Sequence, residues 1–234
     1  MLASTYFEEL PDSVADTEFG SFHKGKPFQS ADRLAHFAGR SCYQSWQMPN
    51  SSTATDDGYI ANIIKQGHFS VLEHASVTFY VEGVSRNMTH ELIRHRHLSY
   101  SELSQRFINM EDAKIVVPPA LGESFRAFNN DGRRPYLFDM PSDTQDVYKE
   151  LTERLTDEGK TRKQAREAAR SVLPGGTETK IVVTGNHRAW RDMLHKRYSV
   201  HADAEICEFA SLVLAELKKI APATYQDFPD EPFA

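Results

Sequence analysis

Apolar residues recur every three or four positions in six stretches of the chain, and this spacing is typical of amphipathic helices. A serine or an acidic residue before such a stretch favours a helix start, and a glycine after it favours a stop. The predicted helices begin near Ser30, run from about Asp57 to Gly67, pass through Val84, Met88 and Leu92, extend from Asp143 to Val172, surround Trp190 and Leu194, and span about His201 to Ile220.

Three shorter segments are rich in β-branched and aromatic residues, and these predict strands over residues 75–81, 115–117 and 180–184. Helices with a few scattered strands, without a regular alternation of strand and helix, favour an α+β fold. We therefore expect helices packed around a small central β-sheet, with residues 1–234 forming one domain.

The composition is that of a globular protein, because 40% of the residues are hydrophobic and the 14 Phe, 9 Tyr and 2 Trp supply bulky packing groups. A net charge of −6 does not support general electrostatic binding of long nucleic acid. The arginines instead gather in short segments, over residues 86–106, 160–170 and 187–197, which favours a pocket for small phosphorylated ligands. No apolar run approaches the ~20 residues of a membrane span, and the first residues do not resemble a secretion signal, so we expect a cytoplasmic protein that binds no membrane.

Neither metal nor thiol chemistry is indicated. His90 and Glu91 precede His95, but five residues separate the two imidazoles, whereas the zinc motif HExxH needs four to place both on one helix face. Cys42 and Cys207 form no CxxC motif and fall on apolar helix faces, so we expect both to be buried in the core and unreactive. Standard glycine-rich dinucleotide loops are absent from the sequence.

The segment Arg94-His95-Arg96, followed by seven residues and Ser104, has two interpretations. In the first interpretation the segment is a solvated helix end, because runs of charged residues usually face water. Alternatively, its two arginines point to opposite sides of a helix and serve two ligands or two subunits. In that case Ser104, Gln105 and Arg106 offer a hydroxyl, backbone N–H groups and a guanidinium to one phosphate.

This arrangement resembles the signature of the flavin-dependent thymidylate synthases, which is RHR, seven residues and Ser. Four further segments are similar to blocks of that family and occur in the same order: GHFSVLEH, AREAARSVLP, TGNHRAWRDMLHKR and HADAEI. The resemblance covers the chain from about His68 to Ile206. It implies a homotetramer with shared active sites that makes dTMP from dUMP, with FAD as cofactor, methylenetetrahydrofolate as one-carbon donor and NADPH as reductant.

The resemblance also assigns residues by position. It places at FAD Ser70, Arg94, His95, Arg96, Glu102, Asn186, His187, Arg188 and Asp192. It places at dUMP Glu91, Leu92, Ile93, Arg94, Glu102, Leu103, Ser104, Gln105, Arg106, Arg170 and Arg197. It implies that Arg197 is the catalytic residue that polarises the uracil ring and that His68 lies near the folate, and it assigns no role to His201. Some relatives have Gln at the position of Glu91, and others have Asn or His at that of Asp192, which alters the hydrogen bond available to FAD there.

The residue types suit this chemistry. Making a methyl group from a methylene requires a hydride, and because no side chain donates hydride, a reduced flavin has to supply it. A guanidinium beside the uracil stabilises the negative charge that develops in the ring. Two other functions stay open on these residues: a different FAD-dependent oxidoreductase, and a non-catalytic nucleotide-binding protein.

Overall fold

A computed structural model of the chain describes residues 3–4, 12–24, 30–48, 50–121 and 140–234. The chain divides into two compact units. The first unit consists of Met1–Phe79, His95–Ser99 and Val183–Ala234, and the second of Tyr80–Arg94 and Tyr100–Val182.

The described residues form helices and a small sheet, which confirms the predicted α+β class. The strands are β1 (Ala3–Ser4), β2 (Ser76–Ser85), β3 (Ser99–Glu102) and β4 (Glu178–Asn186), in the order β1, β2, β4, β3. The helices are α1 (Asp12–Ala15), α2 (Glu18–His23), α3 (Ala31–Tyr43), α4 (Asp56–Gln66), α5 (Arg86–Leu92), α6 (Met140–Asp157), α7 (Arg162–Ala169), α8 (His187–Arg197) and α9 (Ala204–Ile220). None of the helices within the described ranges is long and apolar enough to cross a membrane.

The first unit is built around apolar faces of α3 and α4. The Ser30 hydroxyl caps α3 by accepting the N–H of Arg33, and α4 ends at Gly67, which has a positive φ of 69° that favours glycine. One core cluster combines Ala35, Tyr59, Ile60, Ile63, Val71, Leu72 and Ala223. Trp190 of α8 is fully buried with its ring edge-on to Phe79. These contacts fix the start of α8, where several predicted site residues lie.

The second unit has its own core, in which Met110, Tyr148 and Ala169 are buried together. The predicted helix over residues 143–172 is wrong as a single element. It is two helices, α6 and α7, and Gly159 between them has a φ of 87°. Such a backbone conformation ends a helix, and Thr161 then starts α7 with a capping box to Gln164.

Two further boundaries differ from the prediction. Val84 belongs to β2, and α5 begins only at Arg86, because the Ser85 hydroxyl accepts the N–H of Met88 and caps the helix there. The predicted strand over residues 115–117 is reduced to an isolated bridge between Ile115 and Thr177. The predicted strands at 75–81 and 180–184 are confirmed, and both are longer than expected.

The segment Arg94-His95-Arg96 is not helical, because α5 ends at Leu92 and the chain turns before β3. The argument that its arginines point to opposite sides of a helix therefore does not apply. His95 is therefore not on the helix that carries His90, which is a second reason, besides the spacing of five, why the two do not form the helical zinc motif.

The predicted burial of the two cysteines is wrong. Cys42 is exposed near the C-terminal end of α3, and Cys207 is only half-buried on α9. The periodic pattern identified the correct helices, but the buried residues of α3 end at Arg40, two positions before Cys42.

Candidate active site

A cavity of about 330 Å³ lies at the N-terminal end of α8 in the first unit, and its lining brings together Asn186, Arg188 and Asp192, which are three of the residues predicted to bind FAD. Glu73, His97 and Ala189 complete it. Glu73 and His97 were missed in the sequence, although Glu73 lies in the block GHFSVLEH and His97 directly follows Arg96. Their proximity to the site blocks was the available signal.

The polar groups of this cavity are held in place by local contacts. The Asn186 side-chain oxygen accepts the N–H of Ala189 at 2.8 Å and caps α8. Arg188 forms an ion pair with Glu73. The N-terminal end of α8 carries partial positive charge, and Arg188 lies beside it, so this part of the lining suits the phosphates of a dinucleotide such as FAD. The same lining contains the carboxylates of Glu73 and Asp192, which pair with Arg188 and Lys196.

A second cavity of about 360 Å³ in the same unit contains His68 and Ser70, the residues predicted near the folate and at FAD. Its other lining residues are Gly39, Cys42, Tyr43, Tyr59, Ile63, Gly67, Phe69, Val71 and Arg188. Arg188 lines both cavities. The aromatic side chains make this second cavity suited to a planar ring ligand.

His95 and Arg197 meet in the first unit although they are far apart in sequence. The Arg197 Nε donates a hydrogen bond to His95 Nε2 at 3.0 Å. Burial and the nearby Arg197 charge lower the pKa of His95. The imidazole is therefore neutral, with its proton on Nδ1, which lies 4.0 Å from Asp192 Oδ2. The hydrogen bond between Arg197 and His95 fixes one edge of the guanidinium that is predicted to act on uracil.

His187 is placed differently from the other residues predicted at FAD. It is buried, its Nδ1 lies 2.8 Å from the Tyr225 hydroxyl, and it is not part of either cavity lining. Its Nε2 has no hydrogen-bond partner among the described residues, and burial lowers its pKa to about 4. His187, the first residue of α8, is thus a neutral and buried side chain, and its contact with FAD stays a prediction.

The residues predicted at the dUMP phosphate form a turn in the second unit. The Ser104 carbonyl accepts the N–H groups of Phe107 and Ile108 at 3.1 and 3.0 Å. Gln105 is buried, whereas Arg106 is half-exposed, with its Nε 2.9 Å from Glu167 Oε2. We call residues 104–108 the serine turn. Arg170 is exposed just beyond α7, and among the described residues it has no ion pair.

The remaining predicted residues of the second unit lie around α5 and β3. Glu102 pairs with Arg86 at 3.0 Å and accepts the Thr89 hydroxyl at 2.8 Å. Leu92 is fully buried, and its carbonyl accepts the Tyr100 hydroxyl, so its side chain faces the core. Of the other residues predicted at dUMP, Ile93 and Arg94 are exposed, and Glu91 and Leu103 are half-buried. In the first unit, Arg96 and His201 are exposed.

One group of side chains elsewhere in the first unit has the composition of a metal site: His23, His36 and Asp56. Arg40 Nε donates to His36 Nε2, so the His36 proton lies on Nδ1 and faces Asp56 at 2.8 Å. A cation would need the Nδ1 lone pair, and Arg33 already lies 3.8 Å from the carboxylate. These contacts favour an internal charge network over a metal site.

Comparison with known proteins supplies the family. Residues 27–223 match the family model described as thymidylate synthase complementing protein. A flavin-dependent thymidylate synthase of Mycobacterium sp. (strain JLS) is 46% identical over 246 residues, which cover all of this chain and 91% of the relative.

Two other relatives carry the same name. That of Mycobacterium avium (strain 104) is 52% identical over 203 residues, and that of Mycobacterium tuberculosis (strain ATCC 25177 / H37Ra) is 50% identical over 202 residues. Each alignment covers 83% of this chain and 78% of the relative. The family resemblance drawn from the ordered blocks is confirmed: the chain belongs to the flavin-dependent thymidylate synthase family.

Proposed function

We propose that this flavin-dependent thymidylate synthase makes dTMP from dUMP by dividing the work between its two units. The first unit binds FAD and polarises the uracil, and the second holds the dUMP phosphate. Methylenetetrahydrofolate donates the carbon and NADPH the electrons. The observation that carries this proposal is the contact between His95 and Arg197, which lies among the FAD-assigned residues of the first unit.

Arg197 is the residue we assign to the uracil ring. Transfer of a carbon to C5 of uracil pushes negative charge onto the ring, and a fixed guanidinium stabilises that charge. Because neutral His95 accepts the Nε hydrogen bond, it orients Arg197 without neutralising its positive charge. The charge stays available at any working pH, since arginine is not deprotonated in proteins.

FAD, when bound, supplies the hydride that turns the transferred methylene into a methyl group. The residues of this chain that would hold it are Asn186, Arg188, His97 and Ser70, which line the two cavities. Their side chains bind and orient the cofactor, and the aromatic lining of the larger cavity excludes water from its ring.

The serine turn is the proposed phosphate site. A hydroxyl, backbone N–H groups and the Arg106 guanidinium offer several donors to one anion, and Arg170 adds a second positive charge. The seryl hydroxyl binds phosphate here and does not attack uracil, because no described base contacts Ser104 to activate it.

We further propose a homotetramer in which residues 91–94 of one chain complete the dUMP site of another. Support comes from the exposure of Arg94 and Arg170, which would leave a ligand largely open to water in a single chain. Mixing inactive Arg94→Ala chains with inactive Arg197→Ala chains should restore part of the activity, because some mixed sites receive both wild-type residues. Light scattering that shows a fully active monomer would refute the shared site.

The test of the reaction is a visible spectrum of the purified protein during anaerobic NADPH addition, with and without dUMP, followed by a dTMP assay after adding methylenetetrahydrofolate. We expect flavin absorption that bleaches and dTMP that forms only with both substrates. Bleaching without dTMP would indicate another flavin oxidoreductase, and a colourless protein that still binds dUMP would indicate a nucleotide-binding protein.

A further inference from the structure

The short helix α7 presents a polar face at the serine turn. Lys163, Arg166, Glu167 and Arg170 follow one another at spacings of three, one and three residues, which places them on one side of the helix. The opposite side carries Ala165 and Ala169, which are fully buried. The serine turn therefore meets one continuous polar face of α7.

Three contacts connect this face to the turn. Arg166 donates a hydrogen bond from Nη1 to the Phe107 carbonyl. Lys163 Nζ lies 5.3 Å from the centre of the Phe107 ring. Glu167 Oε2 lies 2.9 Å from Arg106 Nε. Two of these contacts hold the backbone and ring of the turn, whereas the third holds the side chain that is assigned to the phosphate.

The helix is anchored well enough to act as a support. Thr161 and Gln164 cap its first turn reciprocally. Ala169 packs in the cluster with Met110 and Tyr148, and Leu103, which directly precedes the turn, packs against the same cluster. The turn and the helix are thus fixed to one core, so a contact between their side chains has a defined geometry.

We propose that Glu167 is a positioning residue for dUMP: its carboxylate forms an ion pair with the Arg106 guanidinium, which binds the phosphate. The carboxylate lies 2.9 Å from Arg106 Nε, but this nitrogen donates no hydrogen bond among the described residues, so the contact is electrostatic. Guanidinium has five N–H donors in a rigid fork, and a bidentate grip on phosphate uses a pair of them. The Arg106 side chain is 39% exposed and that of Glu167 48% exposed, so the pair adds little to folding stability. Its effect is to restrict where an otherwise mobile side chain points. This inference rests on the proposed phosphate site.

The first experiment compares dUMP with deoxyuridine, which lacks the phosphate, in the FAD-loaded enzyme. Glu167→Gln should weaken dUMP binding and raise KM about three- to tenfold while kcat changes less than about twofold, because the lost contact acts on binding only. Deoxyuridine binding should not change. Glu167→Asp, which keeps the charge, should recover part of the loss. The matched control is Glu158→Gln, which removes the acid of another exposed arginine pair, Arg154 with Glu158 at 3.6 Å.

The second experiment adds Glu167→Gln to Arg106→Ala. If Glu167 acts through Arg106, the double variant should bind dUMP no more weakly than Arg106→Ala alone. An additive loss would overturn the inference, and so would an equal loss for deoxyuridine, which would indicate a loosened fold. Tighter dUMP binding by Glu167→Gln would also overturn it, because the carboxylate would then repel the phosphate.

The two failures can be told apart. If Arg106→Ala and Ser104→Ala reduce the preference for dUMP over deoxyuridine but Glu167→Gln does not, the phosphate site stands and the positioning role is wrong. If neither Arg106→Ala nor Ser104→Ala changes that preference, the phosphate site itself is wrong, and the role of Glu167 is overturned with it.

Discussion

The two units place their functional side chains in contrasting surroundings. In the first unit two cavities are lined by five of the assigned residues, His68, Ser70, Asn186, Arg188 and Asp192, and the His95 imidazole is buried against Arg197. In the second unit the assigned arginines lie on a turn and on the end of a helix, where Arg106 is half-exposed and Arg170 is exposed.

This difference has an electrostatic meaning. A charge near buried, low-dielectric surroundings acts strongly on its neighbours, whereas a charge in water is screened. The first unit can therefore stabilise charge that develops during a reaction, and its geometry is present before any ligand binds. The second unit offers charges that become effective when a ligand or a neighbouring chain excludes water, which suits binding better than chemistry.

The largest expected effect comes from Arg197→Lys in the first unit. Lysine keeps the charge but has no planar fork, so it cannot donate to His95 and present an edge to uracil together. We expect kcat to fall by about 100-fold or more, as for loss of a fixed transition-state donor. The measurement is dTMP formation at saturating dUMP, with the exposed Arg154→Lys as control. Near-normal turnover would contradict the assignment of Arg197, and with it of the first unit, to the chemical step.

The second prediction concerns stability at low pH, which we expect to decrease in the first unit before the second. The pKa of His187 is lowered from 6.5 to about 4, so below pH 6.5 the unfolded chain takes up a proton that the folded chain does not. Stability should fall as the pH falls from 6.5 to 4, by up to about 3 kcal/mol from this residue. Urea unfolding at several pH values measures it, and His187→Gln should lose less stability over the same range.

Asp32 supplies the opposing control within the same unit. Burial raises its pKa from 3.8 to about 6 even though Thr224 and Ala223 donate hydrogen bonds to it. Its contribution is therefore fully present below pH 3.8 and is lost as the pH rises through 6. Asp32→Asn should steepen the acid loss of stability. Hydrogen exchange at pH 5 that increases in the second unit instead of near α8 would contradict the assignment to His187.

A paired substitution separates the two units by ligand. Arg188→Ala should lower the FAD content of the purified protein and leave the preference for dUMP over deoxyuridine unchanged, since Arg188 lines only the cavities of the first unit. Arg106→Ala should leave the FAD content unchanged and weaken dUMP binding by about 1.5–3 kcal/mol, the value of a hydrogen bond to a charged group. Flavin absorbance and dUMP titration measure both. Loss of FAD in both variants would contradict the proposal that FAD binds the first unit and the dUMP phosphate binds the second.

The smallest effect should come from replacing both cysteines by alanine. Cys42 is exposed and Cys207 half-buried, so little packing is lost, and we expect a change of less than about 1 kcal/mol in stability with turnover retained. The matched check is the FAD content, because Cys42 lines the larger cavity. Abolished dTMP formation in a folded, FAD-bound double variant would instead indicate a thiol nucleophile.

The sequence by itself determined the family, the α+β class and those helix ends that depend on local contacts. Ser30 caps α3 through a backbone group three residues away, and Gly67 ends α4 through its own backbone conformation. Both are visible in sequence because each interaction involves a few neighbouring residues. The ordered motifs predicted the site residues for the same reason, since each motif is read from a short segment.

The tertiary structure alone decided which distant groups meet. Asp32 lies only two residues after Ser30, yet its carboxylate accepts the N–H groups of Ala223 and Thr224, about 190 positions later in the chain. The pairs of Glu73 with Arg188 and of Arg106 with Glu167 are equally non-local. Helical periodicity also could not show where α5 stops or that Cys42 lies beyond the covered face of α3. Such contacts depend on the path of the whole chain, because burial and pairing are set by what packs against a residue and not by its sequence neighbours.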